Sequence, residues 1–266
     1  MMNFQKYINT VLKIVVGLSP ALIILSNFCL PTLAQSTSSP KPPQQPDRDS
    51  PGTRGTAGSR FGFPSTSGRG APSIIRGGAR RGNSCVTTKN EKLSLTALMP
   101  TWNNEGQTVS ENPNLYVYVP KTTSKLGEFL LIDDKGNEVY QTNFIPPEQA
   151  GIVQVSIPAT AALKIGKKYQ WYFTIICNSE DRSQDEYVSG LLERTTLGSL
   201  LNLSLQQAVP LQRAEIYAKN KIWYDTISNI APFRQENPEA WAELLSSVGL
   251  EQFINEPFVE LGTAKP

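Results

Sequence analysis

Between residues 168 and 177 the side chains alternate with a period of two. Tyr169, Trp171, Phe173, Ile175 and Cys177 share one face, and Tyr172, Thr174 and Ile176 share the other. Only an extended strand sends successive side chains to opposite sides, and a strand this apolar on both faces belongs in the interior of a sheet. Six more stretches carry strand character, at residues 93–98, 115–119, 127–132, 138–144, 152–157 and 185–195. They are separated by turn residues at the spacing of two packed antiparallel sheets. Near Thr196 the apolar period becomes helical. Residues 211–220 and 222–231 read as a helical pair with Trp223, Ile227 and Ile230 on one side, and Pro232 should stop or kink the second member. A last helix has Asn237 as its cap, Pro238 in its first turn, Trp241, Leu244, Leu245 and Val248 as its stripe and Gly249 as its stop. The predicted fold is mostly β: an immunoglobulin/fibronectin-like antiparallel β-sandwich over residues 83–197, then a helical cap over 198–250, α+β overall, and a C-terminal tail at 251–266.

The chain ahead of this domain has a different composition. Lys6 and Lys13 precede an apolar run from Ile14 to Leu25, extended by Phe28 and Leu30, and Thr32-Leu33-Ala34 supplies small residues before Gln35. This order predicts a secretory signal over residues 1–34, cleaved between Ala34 and Gln35. Retention as an uncleaved anchor is the alternative, since the run approaches the shortest membrane span; Asn27 and Phe28 before Cys29 argue against a lipidated cysteine. After cleavage no membrane span is expected. Residues 35–82 hold seven Pro, nine Gly and eight Ser, a composition that predicts a disordered linker. The linker has eight basic residues against two acidic, a net +6, whereas residues 83–266 have fifteen against twenty-one, a net −6. Such a tail reads first as a solvated linker with incidental charge; the sharper alternatives draw it to an anionic surface or back onto its own domain. Its Arg-Gly steps resemble those of nucleic-acid binders, but export argues against a nucleic-acid partner and leaves an acidic glycan as the equivalent ligand.

Once the signal is gone, Cys85 and Cys177 are the remaining cysteines. In an oxidising compartment they are expected to pair, closing a loop for which chain entropy gives roughly 4–5 kcal/mol.

The chain contains no histidine. It therefore lacks the base of a Ser-His-Asp or Cys-His arrangement and the imidazole ligands common at zinc. No Gly-rich phosphate loop lies between a strand and a helix, and no cofactor is expected. A pair of carboxylates would still suffice for glycoside hydrolysis; Asp134, Glu148, Asp181 and Glu193 are candidates, though no spacing pairs them. Asp133-Asp134-Lys135-Gly136-Asn137 reads as a hairpin turn, with a calcium loop as the sharper alternative. The acidic stretch Glu180, Asp181, Asp185 and Glu186 around Arg182 reads as a charged surface loop, and no metal site is expected. Tyr116 and Tyr118 share one strand face and would form a contact patch if exposed; core packing is the competing use of that face.

The blocks Tyr116-Val117-Tyr118-Val119-Pro120, Glu128-Phe129 through Asp133 and Gly136, Tyr169-Gln170-Trp171 to Cys177, Asp181-Arg182-Ser183, Gly190 and Ile222-Trp223-Tyr224-Asp225 resemble, in that order, a cyanobacterial exported family catalogued as domain of unknown function 928. The likeness covers about residues 85–250. It implies a periplasmic or envelope-associated protein and carries no activity and no catalytic residues. Pro232 and Asn178 depart from the family pattern. Residues 165–171 also resemble the entry to a central strand of fibronectin-like sandwiches, and Ala214, Tyr217, Trp223, Ile230 and Pro238 fall at spacings close to one tetratricopeptide unit. One such unit cannot bury its own faces, so a cap on the sandwich is expected rather than a solenoid.

Together these features predict an exported, non-enzymatic binding or scaffolding module of the cell envelope whose partner is an envelope protein or an acidic glycan. A carbohydrate-active protein, binding glycan or hydrolysing it with two carboxylates, is the alternative.

Overall fold

The computed structural model describes residues 60–63, 85–86, 93–101 and 103–264. The signal segment, its cleavage site at Ala34 and Gln35, and most of the linker lie outside the described residues. In chain order the elements are β1 (Thr96–Ala97), β2 (Glu105–Thr108), β3 (Asn114–Val119), β4 (Gly127–Asp133), β5 (Glu138–Ile145), β6 (Gly151–Ser156), β7 (Lys168–Ile175), β8 (Glu186–Arg194), α1 (Ser199–Gln207), α2 (Pro210–Lys219), α3 (Trp223–Ile230), α4 (Pro238–Ser247) and β9 (Gly262–Thr263).

These strands form two sheets, ordered β1-β3-β6 and β2-β8-β7-β4-β5-β9. The result is an α+β protein built on a β-sandwich, with its helices near the C-terminus. Strand β7 lies inside the larger sheet, antiparallel to both β4 and β8. Its first face, Tyr169, Trp171, Phe173 and Ile175, is buried. Its second face is half-buried, with Tyr172 leaning on Tyr187 of β8 at 6.3 Å between ring centroids. The strand is central in the sheet, but one side meets solvent.

Two strands escape the alternation argument. Strand β2, Glu-Gly-Gln-Thr, runs parallel to β8 at the edge of an otherwise antiparallel sheet. Its Gly106 is required by close approach: a Cβ there would stand 2.6 Å from the Tyr224 ring. Strand β9 has only two residues and pairs with the end of β5.

Helices α2, α3 and α4 follow the sequence reading, whereas α1 is not among the helices read there. Helix α3 ends at Ile230 and Pro232 falls in a 3-10 turn, Ala231–Phe233. Asn237 occupies the cap position of α4 without making a side-chain capping bond, and Gly249 leaves the helix at φ +77°. Helix α1 is the loosest element: Leu205 is its buried residue, while Leu200 is 81% exposed.

The segment expected as a tail is instead a strap. Phe253 is buried with its ring 5.1 Å from that of Tyr118. Ile152 N donates to Pro257 O at 2.7 Å, and Val259 N donates to Ile152 O at 2.9 Å. The strap thus adds main-chain bonds to the edge of β6 in one sheet and, through β9, to β5 in the other. The expected linker also departs from expectation at its described residues, because Phe61 and Phe63 are 0% and 9% exposed. Two phenyl rings 24 and 22 residues ahead of Cys85 gain enough from burial to hold a segment whose average composition favours disorder.

Candidate functional site

Strand β3 lies between β1 and β6, so neither of its edges is free. Tyr116 and Tyr118, the proposed contact patch, do share a face, but that face is covered. They are 3% and 2% exposed. Tyr116 packs on Phe258 of the strap at 6.0 Å and its hydroxyl donates to Gln154 Oε1 at 3.3 Å. Burial pushes its phenol up to about 12. The patch is therefore corrected to core, because the C-terminal strap occupies the surface it would have offered.

The disulfide joins Cys85 to Cys177, Cα atoms 5.3 Å apart. It ties the start of the domain to the chain just past β7. Thr123 N and Thr122 Oγ1 both donate to Cys85 O, at 3.0 and 2.9 Å. Cys177 N donates to Asp185 Oδ1 at 3.1 Å, and Asp185 in turn holds Arg182, which reaches Glu128 at 3.3 Å. The acidic loop is thus an ion-paired brace beside the disulfide.

The four carboxylates considered for chemistry sit on different elements. Asp134, in the turn between β4 and β5, meets Lys167 at 3.7 Å. Glu148 is exposed in the loop after β5. Asp181 accepts from Ser183 and Gln184, bonds that hold its carboxyl below the usual range. Glu193, on β8, accepts from Gln107 Nε2 at 3.4 Å. In the turn itself, Asp133 accepts from the Lys135 and Asn137 amides and the Asn137 side chain, with Gly136 at φ +82°. Asp133 is therefore used in closing a hairpin. Among the described residues there is no group of three or more Cys, Asp or Glu side chains that could hold a metal ion.

Three consecutive residues at the start of α3 fasten the helices to the sandwich. Trp223 Nε1 donates to Leu98 O at 3.0 Å. The Tyr224 hydroxyl donates to Leu191 O at 2.9 Å and accepts from Trp171 Nε1 at 2.8 Å. Val109 N donates to Asp225 Oδ2 at 3.0 Å, and the Thr108 hydroxyl bonds the same carboxyl. Burial pushes the Asp225 carboxyl and the Tyr224 phenol up from their ordinary values. Sequence reasoning placed Trp223 on the apolar side of the helical pair and left Tyr224 and Asp225 in a family block without a role. Their role is attachment: each one reaches a different strand or loop.

Beside this anchor lies the groove that holds Arg60-Phe61-Gly62-Phe63. Arg60 grips Glu243 of α4 three ways: its backbone N donates to Oε1 at 2.6 Å, Nε donates to Oε2 at 2.8 Å, and Nη2 stands 2.7 Å from Oε2. Phe63 stands edge-on to Trp223, ring centroids 5.2 Å apart. Next to Phe63 a concavity of about 250 Å³ continues, with Glu105, Glu193, Lys168 and Lys221 at its walls and Pro100 and Asn103 on the loop side. Charge-assisted fork bonds and aromatic burial are how short peptides are held in grooves. The signal for this segment was present in the sequence: Phe61 and Phe63 are the only aromatic residues between positions 35 and 82.

No curated protein matches the chain. Among solved structures, the fibronectin type III domain of the human collagen alpha-1(XX) chain, determined in solution, is similar at 13% identity over 34% of this chain and 76% of that one, with a TM-score of 0.23. Residues 76–258 match the family described as Domain of Unknown Function (DUF928). This span takes in the disulfide, every strand of the two sheets except β9, and the three-residue anchor of α3, and on that match the chain belongs to the domain of unknown function 928 family.

Proposed function

We propose that this protein is an exported, non-enzymatic binding or scaffolding module of the cell envelope. The observation that carries the reading is the groove at α3, α4 and the loop after β1, which seats a four-residue turn through the Arg60–Glu243 ion pair and two buried rings. Several buried or braced polar groups serve the structure itself. Asp225 and Tyr224 fasten a helix, Asp185 braces the disulfide end, and Asp133 closes a turn. Export rests on the charge, apolar and small-residue order of residues 1–34.

The test is to crosslink the chain from Gln35 onward in its native envelope, capture it and identify what is retained. A protein partner is expected. Recovery of the chain with no protein attached would sink the reading.

A second reading is glycan binding on the outer face of β7 and β8, where Tyr172 and Tyr187 form a partly exposed aromatic pair. A glycan array separates the two: binding that disappears in Tyr172→Ala and Tyr187→Ala supports the sheet face, and binding that survives both changes excludes it.

A further inference from the structure

We propose that the concavity beside β2 binds a small zwitterion, an apolar α-amino acid or a short apolar peptide, whose carboxylate meets Lys168 and Lys221 and whose ammonium meets Glu105 and Glu193. The period of two places Glu105 and Gln107 on one face of β2. Parallel pairing sets Gln107 beside Glu193, and antiparallel pairing sets Glu193 opposite Lys168. Gln107, Glu193 and Lys168 thus form one row across three strands, with Gln107 Nε2 donating to Glu193 Oε2 at 3.4 Å. Lys221 reaches the same hollow from the turn between α2 and α3. Lys168, Lys221 and Glu105 are exposed and Glu193 is half-buried. Among the described residues, none of the four is closed into an ion pair. Two charges of each sign therefore surround one hollow without neutralising each other at contact distance.

The rest of the wall is apolar and held in place. Trp223, fixed by its bond to Leu98 O, lines the hollow together with Leu192 and with Phe63, which stays where it is as part of the wall. The rims are braced by short bonds: Asn103 Oδ1 accepts from Glu105 N at 3.2 Å, and Lys221 N donates to Ala218 O at 2.9 Å. Lys221 has φ +63°, and Asn104, between Asn103 and Glu105 on the opposite rim, has φ +54°. Glycine would take either position without strain. A lysine kept at such a turn, with its side chain at a concavity, is strain of the kind found at ligand clamps.

The charges select the ligand. Two lysines and two glutamates sum to zero, so a ligand of one sign meets as much repulsion as attraction, whereas a molecule with one charge at each end and an apolar middle meets neither penalty. The volume of about 250 Å³ lies just below the usual range for ligand pockets, about 300–1,000 Å³, which bounds the ligand at an amino acid or a short peptide. The site goes beyond the envelope-partner reading, and capture of a protein bears on neither its presence nor its absence.

The experiment is calorimetric titration of the chain from Gln35 onward with free leucine, dileucine and trileucine, beside N-acetyl-leucine and leucinamide, each of which lacks one charge. Binding of a zwitterion is expected in the sub-millimolar range, and each blocked compound should bind more weakly on the order of tenfold. The length that binds tightest separates the two sources, a free amino acid or a peptide. Lys168→Gln with Lys221→Asn should erase the preference for the zwitterion over leucinamide; Asn is chosen because it tolerates the left-handed turn. Glu105→Gln with Glu193→Gln should erase the preference over N-acetyl-leucine. A general loosening of the fold would lower all affinities together and could not produce this crossed pattern.

Three results overturn the proposal. No zwitterion of any of the three lengths binds at up to about 10 mM, which would leave the four charges as the shield of an edge strand. The blocked compounds bind as tightly as the zwitterions, which would make the hollow a plain apolar pocket. Or either double variant keeps the native preferences, which would place the binding elsewhere on the molecule.

Discussion

Two terminal segments pack against the same domain by different physics. The C-terminal strap joins through its backbone, with Pro257 and Val259 bonded to Ile152 and β9 paired to β5. Its rings then fill the core: Phe253 against Tyr118, and Phe258 among Tyr116, Trp241 and the Arg234 guanidinium, which lies 3.6 Å from its centroid. The N-terminal clip joins mainly through side chains, as two rings and the Arg60–Glu243 ion pair, with the Arg60 backbone N–H as its main-chain bond to Glu243. A segment bonded through its backbone shares the fate of the sheet it edges. A segment bonded through side chains can leave while the sheet stays.

The sharpest way to break this distinction is to cut one ring from each. Phe253→Ala should cost about 3–5 kcal/mol, because the buried ring leaves a cavity that the strap cannot vacate. Phe61→Ala removes an equally buried ring, but the penalty is capped: once the mutant clip binds worse than it dissociates, it dissociates. Burial of the two rings less the cost of ordering the segment gives a cap of about 1–2 kcal/mol. Adding Phe63→Ala should then cost almost nothing further. Urea unfolding of the single and double variants reads this directly; an additive double variant, falling by the sum of two core truncations, would make clip and strap equivalent.

Between these lies the platform both segments depend on. Tyr224→Phe removes one hydroxyl, which leaves Trp171 Nε1 without its acceptor in the core and takes one donor from Leu191 O. The expected loss is about 1–3 kcal/mol, and it should also weaken clip retention because Trp223, the neighbour that receives Phe63, loses its firm seat. Retention unchanged at a measured loss of stability would show that the groove is independent of the anchor.

How much of this was legible depended on whether an element announces itself locally. Strands β3 to β8 did, because apolar residues alternate along them, and α4 did, through Asn237, Pro238 and Gly249. Strand β2 did not, since Glu-Gly-Gln-Thr has no apolar alternation and its glycine is explained only by a ring 118 positions away. Tyr116 and Tyr118 were correctly placed on one face, but what covers that face is the strap, which is remote in sequence. The clip was hidden by averaging: two phenylalanines in a segment rich in Pro, Gly and Ser barely alter its composition. The binding groove was missed for the same reason, since it became visible only through its occupant.

The smallest expected effect concerns pH, and it tests whether α3 is as rigid a floor as the comparison assumes. Asp225 is buried beside Thr108 and the Val109 amide, with Tyr217 near enough to feel its charge. Its carboxyl is raised, chiefly by loss of solvent, with its hydrogen bonds to Thr108, Val109 and its own backbone opposing. Below the unfolded carboxylate value, about 3.9, both states hold the proton and Asp225 adds no pH dependence. As pH rises past that value the unfolded chain ionises first, so the folded state binds more protons and stability falls until the folded group ionises as well. Asp225→Asn keeps an acceptor for Val109 and removes the titration. The stability of the Asn variant relative to the native chain should therefore rise as pH climbs from about 3 through the unfolded carboxylate value, levelling off where the folded carboxyl ionises. Urea midpoints at the two ends measure it. A difference independent of pH would mean that water reaches Asp225 and that the base of α3, which carries Trp223 and so the clip, opens more readily than its bonds suggest.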